Sequence, residues 1–162
     1  MVARFTPEKP VVSAEWLTSH LTAPDVRVLD CTYFMPGSPK TGRQVYDAHH
    51  IPGARFFDID DVADTDSSLP HMLPAPEKFS SRVRKLGLGD GNKIIVYDTS
   101  PMTGACRVWW MFRAMGHKDV AVLDISTFAP LGVGIVPWGN RYIAHQREHM
   151  AERGCGREIT PY

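Results

Sequence analysis

A chain of 162 residues suits one domain of the usual size, roughly 100–200 residues, and is too short for two. Apolar residues make up 43% of it and charged residues 22%, enough to fill a core that buries roughly 70% of the unfolded surface, so disorder along the whole chain is excluded. Eighteen Lys and Arg balance eighteen Asp and Glu, which leaves no long-range field to draw the chain to nucleic acid or to an anionic membrane.

From the amino end, Ser13 predicts the N-cap of a short helix over 14–21, with Trp16, Leu17 and Leu21 on one apolar face. The run Val26-Arg27-Val28-Leu29 predicts a buried strand that ends at Asp30. Pro36, Gly37, Ser38, Pro39, Thr41 and Gly42 write a loop over 32–43. One helical turn is expected over 46–50, stopped by Pro52, and a second strand over 54–59. Residues 60–76, with four aspartates, three prolines and two serines, predict a long irregular loop of the kind that is often functional.

Pro76 at a first helical position, Phe79, Val83 and Leu86 on one face, and Gly87 just past the end predict an amphipathic helix. Arg82, Arg84 and Lys85 are expected to face solvent there. Residues 93–97 read as a third strand and 98–103 as a polar turn. The segment 104–115 is apolar nearly all round except at Arg107 and Arg113, which predicts a helix buried on most of its surface. Trp109, Trp110, Met111 and Phe112 then belong to the core. Residues 120–123 give a fourth strand.

Strands alternating with helices at this spacing predict an α/β fold, a parallel sheet covered by helices on both faces. Ligands in such sheets sit at the carboxyl ends of strands, here the turns after Leu29, Ile59, Tyr97 and Leu123. No run nears the roughly 18 apolar residues of a membrane helix, and residues 1–10 lack the apolar core of a secretory signal; a cytoplasmic chain is expected. Cys31, Cys106 and Cys155 are far apart and form no C-x-x-C pair, which fits free thiols in a reducing compartment rather than bound zinc.

The string Tyr46-Asp-Ala-His-His-Ile-Pro-Gly-Ala54 resembles the rhodanese signature, an aromatic residue, three positions, then His-Ile-Pro-Gly-Ala. On structural grounds the same string is architectural: Pro52 stops a turn, Gly53 lets the chain pass tightly and Ala54 enters the sheet. The resemblance extends through 56–60, 71–74 and 108–117, and covers residues 11–124. It is to the N-terminal half of two-domain sulfurtransferases, especially the 3-mercaptopyruvate type. It implies a single rhodanese-like domain over 11–124, preceded by an extension over 1–10 and followed by a divergent tail over 125–162.

Members of that family carry sulfur as a cysteine persulfide at a strand-to-helix turn, where backbone N–H groups and a helix N-terminus stabilise the thiolate and bind the anionic substrate. Here Asp98 stands where that cysteine would be. A carboxylate cannot accept sulfane sulfur, and its charge repels thiosulfate or mercaptopyruvate. The resemblance therefore implies a non-catalytic first half, inactive alone, with the cysteine-bearing domain absent. It also implies that His71 faces the cleft between the two halves, oriented by Asp60, and that neither cofactor nor metal is needed. A small-molecule sulfur donor is expected only if the chain is active.

Two alternatives stand beside this reading, the first of them from another functional class. One is a binding module that docks a cysteine-bearing rhodanese domain in trans, through an exposed apolar patch. The other is an active single-domain transferase using Cys106 or Cys31. Cys106 lies eight residues beyond Asp98 inside a helix, so its sulfur is expected to pack beside Val108 and Trp110, buried and inert. Cys31 follows the strand end at Asp30. Arg43 and Arg107 suit ion pairs with carboxylates such as Asp30 or Asp98 better than anion binding. His145-Gln-Arg-Glu-His149 has the H-x-x-E-H spacing of inverted zinc peptidases, but only thirteen residues follow it, too few for the helix that brings the next ligand.

Overall fold

A computed structural model of the chain describes residues 10–124. The elements run β1 (Val11–Ser13), α1 (Ala14–His20), β2 (Val26–Asp30), α2 (Gly42–Ala48), β3 (Arg55–Phe56), α3 (Ile59–Val62), α4 (Pro76–Lys85), β4 (Lys93–Tyr97), α5 (Gly104–Ala114) and β5 (Val120–Asp124). All strand pairs are parallel, in the order β1-β5-β4-β2-β3. At the centre, Asp30 lies level with Tyr97 and Val28 with Ile95. Cys155, the H-x-x-E-H string and the tail over 125–162 lie outside the described residues, as does all but the last residue of the 1–10 extension.

Parallel strands covered on both faces need apolar side chains on both, and β4 supplies them: Ile94, Ile95 and Val96 are all buried. Leu29, Ile94, Val96 and Val120 pack on one face with Phe57, Phe79, Val108, Met111 and Phe112, under α3, α4 and α5. On the other face Val28, Ile95, Tyr97 and Leu123 pack with Leu17 of α1 and with Ile51, which follows α2. Fully burying each large side chain is worth roughly 1.5–3 kcal/mol, so the two clusters hold the sheet between its helices. No helix among the described residues is long and apolar enough to cross a membrane.

The ends of several elements are set by polar caps. Ser13 caps α1, its hydroxyl accepting from the Trp16 amide, and Pro76 and Gly87 punctuate α4 as the sequence indicates. By contrast, α2 begins at Gly42 rather than near Tyr46. Thr41 accepts from the Gln44 amide while Gln44 accepts from the Thr41 amide, a reciprocal cap that extends the expected single turn. The strand expected over 54–59 stops after Phe56, because Asp58 accepts from the amides of Asp60 and Asp61 and starts α3. The expected loop over 60–76 thus opens as a helix. Arg82, expected in solvent, reaches Asp61 at 2.9 Å.

Two further differences concern the sheet edge and α5. Strand β1, absent from the sequence reading, is only three residues long and is defined by pairing with β5, Val11 opposite Val122. Helix α5 buries one side rather than most of its surface: Val108, Met111 and Phe112 are buried, while Trp110 is 44% exposed.

Two close approaches fix the carboxyl end of β2. A Cβ added at Gly104 would overlap the Cys31 carbonyl oxygen, and one added at Gly42 would overlap the Thr32 carbonyl. Consecutive peptides after β2 are therefore gripped by the first residues of α5 and α2. Gly104→Ala should destabilise the fold by about 1–3 kcal/mol through overpacking, read as a lower urea midpoint. Gly89→Ala, where nothing lies within 4 Å, should stay within about 0.5 kcal/mol of the parent.

Candidate functional site

The carboxyl ends of β2 and β4 meet at Asp30 and Tyr97. Asp30 is fully buried, and its carboxylate accepts from the Thr32 amide at 2.9 Å. Burial first, and then the Asp30 charge, push the Tyr97 phenol far above its usual range, so it stays protonated. Its oxygen accepts from the Ile51 amide at 3.1 Å. Ile51 belongs to the 46–54 string, which also makes contacts of its own. Tyr46 donates to the Ala54 carbonyl at 2.8 Å and stacks on His50 at 4.1 Å. This string ties α2 to the sheet.

Side chains of the turn after β4 and of the loop after β2 bond to the backbone of that turn. Asp98 is buried and accepts from the Ala105 amide at 2.7 Å, so its carboxylate occupies the first turn of α5, where a helix attracts negative charge. The Thr32 hydroxyl accepts from the Thr99 amide at 3.1 Å and meets the Thr99 hydroxyl at 3.2 Å. Ser100, fully buried, accepts from the amides of Tyr33 and Met102, each at 3.4 Å. Three backbone donors of this turn, at Thr99, Met102 and Ala105, are thus already bonded to side-chain oxygens.

His71 and Asp60 come together: His71 Nδ1 lies 3.1 Å from Asp60 Oδ1. Their setting adds two residues that the sequence gave no reason to select here. The Tyr33 hydroxyl lies 3.3 Å from His71 Nε2, and the Arg107 guanidinium donates to the His71 carbonyl. His71 is held at φ 56°, a conformation that costs a non-glycine residue about 1–3 kcal/mol. Arg107 stacks on Trp110, 4.8 Å from the ring centre, and burial lowers its pKa.

The ion pairs expected for the two arginines take other partners. Asp30 and Asp98 are inside the fold and bonded to backbone amides. Arg43 instead pairs with Asp47 one turn along α2 at 2.9 Å, and Arg107 serves the His71 carbonyl. The thiols also separate. Cys31 is fully buried, and burial first, with the charges of Asp30 and Asp98 behind it, pushes its pKa well above the ordinary thiol range. Cys106 is half-buried rather than buried. It lies about 200° around the helix from Val108, on another side from that core residue.

Among the described residues no group of His, Cys, Asp and Glu could hold a metal ion. Met35, Met72 and Met102 are exposed; Met35 and Met102 sit in the loops after β2 and β4, and Met72 follows His71.

Comparison with known proteins places this geometry. The rhodanese-like domain family matches residues 13–129. The chain is 45% identical over 116 residues to the Arabidopsis thaliana mitochondrial thiosulfate/3-mercaptopyruvate sulfurtransferase 1, covering 72% of this chain and 31% of that protein. It is 40% identical over 122 residues to the human 3-mercaptopyruvate sulfurtransferase, covering 72% and 41%. The crystal structure of the Escherichia coli 3-mercaptopyruvate sulfotransferase superposes with a TM-score of 0.66 at 40% identity, covering 71% of this chain and 44% of that one. The chain thus spans well under half the length of these relatives.

The thiol geometry sets an order of reactivity, since the thiolate is the reactive species and burial suppresses it. With iodoacetamide at pH 8, Cys106 should be alkylated in the folded protein and Cys31 only after unfolding in urea, as read by peptide mass spectrometry.

Proposed function

The chain belongs to the rhodanese-like domain family, and from that premise we propose that it is the non-catalytic, cleft-forming half of a two-domain sulfurtransferase, inactive by itself. In this reading the unit runs over residues 11–124. One observation carries the proposal: the turn after β4, where family members hold the persulfide, is filled by the Asp98 carboxylate bonded to the Ala105 amide.

The chemistry makes the consequence concrete. In thiosulfate transfer a thiolate attacks the outer sulfur, the S–S bond breaks and sulfite leaves with the bonding pair. Cyanide then takes the outer sulfur from the persulfide as thiocyanate and restores the thiolate. Each step needs a polarisable nucleophile that also leaves well. Asp98 supplies neither property, and its charge opposes the approach of an anionic donor. The bonds to Thr32, Ser100 and Asp98 leave the Thr99, Met102 and Ala105 amides no hydrogen for a substrate oxygen. What this half brings to a complete site is the His71–Asp60 pair, a carboxylate holding an imidazole in one tautomer.

A second reading rests on the exposed Met35, Met72 and Met102. Adaptable apolar side chains at the sheet's carboxyl edge suit a module that docks a cysteine-bearing rhodanese domain in trans. Both readings make the same demand on the isolated chain. Purified protein given thiosulfate or 3-mercaptopyruvate with cyanide should form thiocyanate no faster than a protein-free control, and Cys31→Ser and Cys106→Ser should change nothing. Turnover that disappears with one of those substitutions would instead establish a single-domain enzyme.

A further inference from the structure

We propose that Tyr33 is a positioning residue for His71, its phenol donating to and covering the ring nitrogen that faces away from Asp60, in the tautomer that the Asp60 carboxylate sets. The inference deepens the cleft reading above and rests on it for the purpose of His71.

Donors and acceptors alternate around the His71 ring. An ionised carboxylate only accepts, so at 3.1 Å from Asp60 Oδ1 it is His71 Nδ1 that carries the hydrogen. In the neutral imidazole Nε2 is then the acceptor, and the group 3.3 Å from it is the Tyr33 hydroxyl. Burial first, then the charges of Asp60 and Asp58, raise the pKa of that phenol, so it keeps the hydrogen it has to donate. The two rings meet edge to face, with centroids 5.2 Å apart and planes at 80°.

The backbone beneath the ring is fixed as well. Arg107 holds the His71 carbonyl, and the residue sits in the left-handed region, where few side chains stay unless their surroundings require it. His71 is therefore bonded at Nδ1, Nε2 and its carbonyl, by residues of three different segments. Nε2 is a masked base that becomes free only when the Tyr33 hydroxyl turns away.

Two measurements on the intact chain test this, and neither involves turnover, so failure here and failure of the sulfur-transfer reading are distinguishable. Long-range 1H–15N correlation of neutral His71 in the parent protein should show the hydrogen on Nδ1 and a bare Nε2; a hydrogen on Nε2 would overturn the inference. Diethyl pyrocarbonate acylates unprotonated imidazole nitrogens. Tyr33→Phe keeps the ring and its packing but removes the donor, so acylation of His71 should accelerate roughly two- to tenfold, the range set by one net hydrogen bond. His50 in the same digest should be unaffected. Equal His71 rates in the two folded proteins would contradict the proposal, and a hydrogen on Nε2 in the parent would contradict it whether or not the variant folds.

Discussion

The grip on the two peptides that follow β2 organises the functional end of this domain. Gly42 at the start of α2 and Gly104 at the start of α5 press on the carbonyls of Thr32 and Cys31, which only residues without a Cβ can do. With both helix starts fixed against one strand end, the loops after β2 and β4 lie side by side. Thr32 meets Thr99, Tyr33 meets Ser100, and Asp98 spans the β4 end and the first turn of α5. Three of its backbone donors, at Thr99, Met102 and Ala105, are taken up by the side chains of Thr32, Ser100 and Asp98.

A persulfide turn must hold several backbone N–H groups unspent and aimed at one point, a cost in stability that a folded domain tolerates only when a ligand or thiolate repays it. Here the Thr99, Met102 and Ala105 amides bond to side-chain oxygens, and the Asp98 carboxylate is buried. The two described thiols lie elsewhere. Cys31 is sealed against Leu29 and Tyr97, its sulfur directed to the Leu29 carbonyl, and Cys106 lies on α5 beyond the turn. Left-handed backbone at a non-glycine residue occurs at Thr103, just before α5, and at His71, whose position is over-determined by Asp60, Tyr33 and Arg107.

Most of the sheet was legible from residue pattern alone, because β2, β4 and β5 are short apolar runs and α1 and α4 have clear start and stop signals. Three features escaped it for physical reasons. Strand β1 exists through its pairing with β5, a contact between distant parts of the chain that three residues cannot announce. The start of α2 and the whole of α3 depend on Thr41, Gln44 and Asp58 acting as caps, and in a stretch rich in Pro, Gly and Asp such residues read equally well as loop. The burial of α5 was overstated because composition cannot tell an aromatic that packs inward from one that, like Trp110, stacks outward on an arginine. As for the site, the Asp98 position and the pairing of His71 with Asp60 were reached through the family resemblance. The contacts of Tyr33 and Arg107 with His71 join residues 38 and 36 positions apart, and no local spacing encodes them.

The central claim, that the turn after β4 is closed to anionic sulfur donors, is tested most directly by titrating the 15N-labelled chain with thiosulfate and following the amide resonances of Thr99, Met102 and Ala105. The account predicts that these three amides do not move beyond the shifts caused by matched sodium chloride. A saturable shift centred on them, absent with chloride, would show an open anion site and contradict it.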